Sequence, residues 1–165
     1  MGLYQKWANR LTKSRFILSI ALTIFLCIGA ERLAWSTLVF AGVSDYADGW
    51  LAKKEGRGSK WGAIADPLAD KIVIFSPIIW LTSQGILPVW SCWLLISREL
   101  IITNLRNLDE DGIPASRGGK VKTVLQFISI LFMVWPSSWG ASSIVNLFHK
   151  VGWYLFWPSL AIALN

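Results

Sequence analysis

Six long apolar segments joined by short connections limit what this chain can fold into. Their approximate bounds are 11–30, 33–52, 63–83, 87–105, 121–139 and 142–164. Each has roughly the 20 residues that a helix needs to cross a bilayer. Hydrophobic residues make up 54% of the chain and its mean hydropathy is +0.49, which is high for a soluble domain. The sequence therefore predicts an all-α, polytopic membrane protein, with six transmembrane helices in one domain of residues 1–165.

The positions of lysine and arginine predict the orientation of these helices. Basic residues are concentrated before the first segment, between the second and third, and between the fourth and fifth. Because cytoplasmic loops carry an excess of Lys and Arg, these connections and the N-terminus are expected to face the cytoplasm. The net charge of +6 then belongs to loops beside anionic membrane lipids, and no nucleic-acid partner is expected. We predict an integral protein of the bacterial plasma membrane.

Cys27 and Cys92 each lie inside an apolar segment. We expect both to be buried, reduced thiols, since a free cysteine behaves as a small hydrophobic side chain. Their spacing fits neither a zinc site nor a disulfide framework.

Four aspartates fall within 26 residues, on both sides of the connection between the second and third segments. Asp45 and Asp48 are three residues apart and Asp66 and Asp70 are four apart, so each pair shares one helix face. The connection is long enough for antiparallel helices, which would bring all four carboxylates to one pocket at the cytoplasmic end. Four carboxylates at a membrane boundary require cations, and metal ions beside a lipid phase predict phosphate chemistry.

The aspartates and their neighbours form a signature. It reads Asp-x2-Asp-Gly-x2-Ala-x9-Gly-x3-Asp-x3-Asp, with seven fixed residues between Asp45 and Asp70. This pattern resembles the signature of the CDP-alcohol phosphatidyltransferases, which are integral membrane enzymes of phospholipid synthesis. The resemblance implies six transmembrane helices, a homodimer, and two divalent cations, Mg²⁺ or Mn²⁺, at the cytoplasmic face.

The resemblance also implies roles for individual residues. Asp45, Asp48, Asp66 and Asp70 would hold the metal ions, and Asp70 is in addition the candidate catalytic base for the acceptor hydroxyl. The donor, CDP-diacylglycerol, would contact the residues between and beside the aspartates: Gly49, Ala52, Lys53, Ser59 and Gly62. At position 53 the family usually has arginine. Lys53 keeps the positive charge but lacks the planar guanidinium, which can bind two oxygen atoms at once.

Three further patches resemble the phosphatidylglycerophosphate synthases, a branch of the same family. They lie at 9–15 before the first segment, at 97–102 in the fourth, and at 115–123 leading into the fifth. This likeness implies sn-glycerol 3-phosphate as the acceptor, with basic side chains as ligands of its phosphate. The candidate ligands are Arg98, Arg117, Lys120 and Lys122.

These basic residues have alternative interpretations. Arg98 could be the structural partner of a carboxylate, although an ion pair with Glu99 is not expected, because adjacent helical residues point apart. Arg117, Lys120 and Lys122 could be ordinary cytoplasmic-loop residues without a catalytic role.

The predicted reaction is transfer of a phosphatidyl group from CDP-diacylglycerol to glycerol 3-phosphate, with release of CMP. Other acceptors stay open: inositol phosphate, serine, or phosphatidylglycerol as in a cardiolipin synthase. Intramembrane carboxylates also mark ion pathways, so a divalent-cation transporter is a distant alternative, although all four aspartates lie at one end. A third alternative is a non-catalytic membrane scaffold that keeps the motif only for packing.

Overall fold

The computed structural model describes the backbone of residues 3–55, 60–108 and 117–164, and the side chains of residues 14–44, 71–104 and 121–164. Within these ranges the chain forms six helices. They are α1 Leu3–Cys27, α2 Glu31–Glu55, α3 Lys60–Ser83, α4 Val89–Leu108, α5 Arg117–Met133 and α6 Ser142–Leu164. The prediction of an all-α fold with one helix for each apolar segment is confirmed.

Helix ends differ from the predicted bounds where local chemistry, and not hydropathy, sets them. α1 begins at Leu3, well before its apolar segment, because the preceding stretch is rich in good helix formers such as Leu, Lys and Arg. α5 ends at Met133, although apolar residues continue towards residue 139. Pro136 accounts for this early end, since proline has no N–H to donate and disfavours helical geometry in the preceding residue.

Two glycines end helices by the same motif. Gly29 and Gly85 both have a φ of 71°, a left-handed conformation that glycine adopts at little cost. The amides of Gly29 and Ala30 donate to carbonyls in the last turn of α1 at 3.2 and 2.8 Å. The equivalent pair of bonds after α3 measures 3.0 Å in both cases. These Schellman motifs satisfy the terminal carbonyls and turn the chain into the next helix.

The backbone divides into two compact units, Met1–Trp80 and Leu81–Asn165, and the predicted single domain stays a prediction. In the first unit α1 packs against α2. Buried side chains form one stripe at helical spacing on each helix. They are Ser19, Leu22 and Leu26 on α1, and Ala34, Leu38 and Ala41 on α2. Since α2 continues from this contact to Asp45 and Asp48, the aliphatic stripe fixes the helix that bears the first aspartate pair.

In the second unit α6 packs closely against α5 and also contacts α4. At Gly152 the two helices approach so closely that an added Cβ would lie 2.7 Å from both Met133 N and Ser129 O. The buried Ser129 hydroxyl donates to Gly152 O at 2.7 Å. Glycine at position 152 therefore permits a backbone approach that a larger residue would prevent.

The faces of the helices that do not pack together are largely apolar. On α1, Ile17, Ile20 and Ile24 are 67%, 61% and 52% exposed. Large apolar side chains are exposed on the other helices too, among them Trp93 on α4 and Tyr154 on α6. Over the residues that the structure describes, none of the helices combines the length, the hydropathy and the low charge of a membrane-spanning segment.

Both cysteines are free, and Cys92 is buried as predicted. The predicted burial of Cys27 is wrong, because this residue is exposed. It follows Leu26, which belongs to the buried stripe of α1, so the helical turn directs the Cys27 side chain away from α2.

Candidate functional site

The four aspartates lie on α2 and α3, towards the connection between the two helices. Asp45 and Asp48 are in the second half of α2, and Asp66 and Asp70 are in the first half of α3. Helical backbone at all four positions supports the expectation that each pair shares one face. Their side chains lie outside the described residues, so the convergence of the carboxylates stays a prediction. Among the side chains that the structure does describe, no three His, Cys, Asp or Glu form a metal-binding group.

The predicted donor contacts surround the same connection. Gly49, Ala52 and Lys53 belong to the last turns of α2, and Gly62 belongs to the first turn of α3. Ser59 lies outside the described residues, and the side chains at the other positions do as well. The chain order therefore keeps the donor candidates beside the aspartates, whereas their contacts stay predictions.

Two of the predicted acceptor ligands, Arg98 and Lys122, meet at the carboxylate of Glu99. Glu99 Oε1 accepts a hydrogen bond from Arg98 Nη1 at 2.9 Å. The same oxygen accepts from Lys122 Nζ, so it joins α4 to the start of α5. The expectation that Arg98 and Glu99 do not pair is wrong. Glu99 reaches across to Lys122, and the long arginine side chain is flexible enough to follow it despite the unfavourable spacing.

The remaining acceptor candidates, Arg117 and Lys120, lie in the first turn of α5. Their side chains are outside the described residues. No acidic residue occupies this turn, so positive charge accumulates at the positive end of the helix dipole. The free backbone N–H groups of a helix N-terminus favour a bound anion, and the contacts of Arg117 and Lys120 with a phosphate stay predictions.

Buried polar side chains continue along α5 beyond Lys122. Gln126 follows one turn later and Ser129 follows Gln126, and these three residues are 5%, 4% and 0% exposed. In the described part of the chain, the buried Gln126 Nε2 has no hydrogen-bond partner. An unsatisfied buried amide is costly, so Gln126 is a candidate for contact with a ligand or an ordered water. A glutamine inside an apolar segment is the sequence signal that could have identified it.

Comparison with known proteins agrees with the signature. The sequence model described as CDP-alcohol phosphatidyltransferase matches residues 5–164. A "Probable phosphatidylglycerophosphate synthase" of Mycobacterium tuberculosis is 38% identical over 139 residues, which cover 79% of this chain and 66% of that protein. The chain thus spans just under two thirds of the length of this curated relative.

Two other relatives are both named CDP-diacylglycerol--glycerol-3-phosphate 3-phosphatidyltransferase. The protein of Rickettsia bellii is 30% identical over 163 residues, which cover 95% of this chain and 88% of the relative. The protein of Salmonella typhimurium is 29% identical over 159 residues, which cover 86% of this chain and 85% of the relative. The similarity therefore extends well beyond the aspartate signature.

Proposed function

This chain belongs to the CDP-alcohol phosphatidyltransferase family, and on that basis we propose that it transfers the phosphatidyl group of CDP-diacylglycerol to sn-glycerol 3-phosphate. The products are phosphatidylglycerophosphate and CMP. The observation that carries the proposal is the complete aspartate signature on α2 and α3, within a chain that the family matches over residues 5–164. The names of the curated relatives support the acceptor.

The donor set fits divalent cations. Asp45, Asp48, Asp66 and Asp70 supply four carboxylates, the hard oxygen ligands that Mg²⁺ and Mn²⁺ prefer, and two such ions would balance their charge. When bound, the ions would polarise the transferred phosphoryl group and stabilise the negative charge on departing CMP. The Asp45, Asp48 and Asp66 carboxylates are assigned to metal binding alone, and Asp70 is assigned a second task.

Asp70 acts as the general base. Its carboxylate takes the proton of the acceptor hydroxyl as the oxygen attacks the phosphorus that carries the diacylglycerol. The new bond joins the acceptor oxygen to that phosphorus, and the bond between the phosphorus and the CMP oxygen breaks. An aspartate suits this role because it is ionised at neutral pH and lies on the helix that follows the donor-binding connection.

The donor is held by the residues around the α2–α3 connection. Gly49, Ala52 and Gly62 are small, so a nucleotide can approach the helix backbone closely. Lys53 neutralises the diphosphate as a point charge, and Ser59 offers a hydroxyl to it. Each of these contacts is a local consequence of the signature spacing.

The acceptor is held by basic residues of α4 and α5. Glycerol 3-phosphate carries about two negative charges near neutral pH, so it requires cations in addition to those that serve the donor. Arg98 with Arg117, Lys120 and Lys122 supplies them. The meeting of Arg98 and Lys122 at Glu99 supports this assignment, since it gathers two of the four cations.

We further propose that the protein is embedded in the bacterial plasma membrane as a homodimer with six spanning helices, its active site on the cytoplasmic face. Exposed isoleucines along α1 and exposed aromatics on α4 and α6 support this, because a soluble monomer rarely leaves such extended apolar faces uncovered. Basic connections on one side support the orientation. Carbonate extraction of membranes, reporter fusions at both termini and the mass of the detergent-solubilised protein test the three parts.

The decisive experiment presents purified protein with CDP-diacylglycerol and a panel of acceptors. We expect CMP release and a phosphatidylglycerophosphate product with glycerol 3-phosphate. Inositol phosphate, serine and phosphatidylglycerol serve as competing acceptors, and reactions without any acceptor measure donor hydrolysis. Turnover with serine but not with glycerol 3-phosphate would overturn the acceptor and leave the donor assignment standing.

A further inference from the structure

We infer that Glu99 is a positioning residue for the acceptor phosphate: it orients the Arg98 guanidinium and is itself anchored by Lys122. The inference rests on the proposed function, because it gives Glu99 a task in binding the same acceptor. Glu99 Oε1 accepts from Arg98 Nη1 at 2.9 Å and also from Lys122 Nζ. A single carboxylate oxygen therefore joins two cations that come from different helices.

Exposure of the three side chains decreases in a fixed order. The side chain of Arg98 is 25% exposed, that of Glu99 is 16% exposed, and that of Lys122 is 7% exposed. A phosphate that arrives from solvent would meet Arg98 first, whereas Lys122 lies deepest. Arg98 uses Nη1 for Glu99, and a guanidinium has five N–H donors, so other donors of the same fork can bind phosphate oxygens.

Glu99 has two opposing effects on phosphate binding. Its charge reduces the total for the three side chains to +1, which weakens the attraction for an anion. Its hydrogen bonds fix a long side chain before the ligand arrives, which lowers the conformational entropy lost on binding. Positioning requires that the second effect exceeds the first. Removing Glu99 should then raise the KM for glycerol 3-phosphate, whereas a lower KM would mean that the effect of its charge is the larger one.

The test compares Glu99→Gln and Glu99→Asp with the wild type in the complete reaction. Glu99→Gln keeps the shape but loses the charge that binds both cations. We expect the KM for glycerol 3-phosphate to rise about tenfold, with the KM for CDP-diacylglycerol and kcat nearly unchanged. Glu99→Asp keeps the charge on a shorter side chain and should give a smaller rise. Glu31→Gln, at the start of α2, is the matched control and should leave every constant unchanged.

A second variant separates positioning from a purely structural role. Glu99→Gln removes the carboxylate beside the buried Lys122 ammonium, which can destabilise the fold. Glu99→Gln/Lys122→Met removes the buried charge as well, so its Tm should return towards the wild-type value. Because Lys122 is itself a proposed ligand of the phosphate, the KM of the double variant is compared with that of Lys122→Met alone. Positioning predicts a higher KM for glycerol 3-phosphate in the double variant, since Arg98 has lost its partner, whereas a structural role predicts equal KM values once Tm has recovered.

The outcomes separate the inference from the proposed function. A wild type that uses glycerol 3-phosphate, with an unchanged or lower KM in Glu99→Gln, overturns the role of Glu99 alone. A wild type that releases no CMP with glycerol 3-phosphate overturns the acceptor, and the role of Glu99 with it.

Discussion

The two charged regions of the molecule differ in how their charge is compensated. The connection between α2 and α3 is flanked by four aspartates, whose proposed convergence would bring four like charges together and require divalent cations from outside the chain. The contact between α4 and α5 combines Arg98 and Lys122 with Glu99, so its positive charges already have a carboxylate within the protein.

This difference predicts different responses to perturbation. A region that depends on bound cations fails as a unit, because losing the ions leaves repelling carboxylates and no charge to stabilise the departing CMP. A region with an internal counter-charge should respond in a graded way, since each side chain contributes a separable part of anion binding. The experiments below, from the largest expected effect to the smallest, test this contrast.

Metal removal should have the largest effect. Treatment with EDTA should lower CMP release by at least about a thousandfold, because the transition-state charge loses its main stabilisation. Added Mg²⁺ or Mn²⁺ should restore the rate, and EDTA saturated with Mg²⁺ beforehand is the control. Full activity after exhaustive removal of metal would contradict the assignment of the four aspartates and remove the contrast between the two regions.

Replacement of the proposed base should come next. Asp70→Asn should lower kcat by about 10²–10⁴-fold, the usual contribution of general base catalysis, while much of the CDP-diacylglycerol binding is retained. Asp45→Asn should weaken both binding and turnover, because that residue is assigned to metal binding alone. Glu31→Gln removes a carboxylate from the opposite end of α2 and should have no effect. A near-wild-type rate in Asp70→Asn would exclude the role of base.

Arg98→Ala should give an intermediate, selective effect. We expect the KM for glycerol 3-phosphate to rise about tenfold, the value of one hydrogen bond to a charged group, with little change in the KM for CDP-diacylglycerol. Arg98→Lys should give a KM for glycerol 3-phosphate between those of the wild type and Arg98→Ala, since lysine keeps the charge but lacks the planar guanidinium. Equal losses for both substrates would make Arg98 a structural residue and show that the α4–α5 region also acts as a unit.

The same two regions show how far the sequence predicts this protein. Apolar length predicts all six helices, and spacing within one helix predicts which aspartates share a face, because both are local properties of the chain. The ends of helices are less predictable, since Gly29, Gly85 and Pro136 act through turn geometry and missing N–H groups.

Contacts between helices are the part that the sequence does not predict. Lys122 and Glu99 lie 23 residues apart on different helices, so their meeting depends on the tertiary structure of the second unit. The rule that adjacent side chains point apart describes Cβ directions, and it fails for Arg98 because a long side chain can bend towards a shared partner. The exposure of Cys27 is unpredictable for a related reason, since packing selects which face of an apolar helix is buried.

Lys53 should give the smallest effect and tests the one departure from the family signature. The residue belongs to the last turns of α2, after the first aspartate pair, where the diphosphate is proposed to bind. Lys53→Ala should raise the KM for CDP-diacylglycerol about fivefold, because a single charged contact with the diphosphate is lost. Lys53→Arg should lower it by about twofold, since a guanidinium can bind two phosphate oxygens at once.

Lys54→Ala is the matched control, because the neighbouring residue of a helix is directed to a different face. It removes the same charge from the same turn, so long-range attraction of the anionic donor should change equally in the two alanine variants. A fivefold rise in Lys53→Ala alone identifies a direct contact with the diphosphate. Equal, small rises in both variants would mean that Lys53 acts only through the net charge of the α2–α3 connection. In that case donor binding would depend on the bound cations, and the two charged regions would differ even more sharply than proposed.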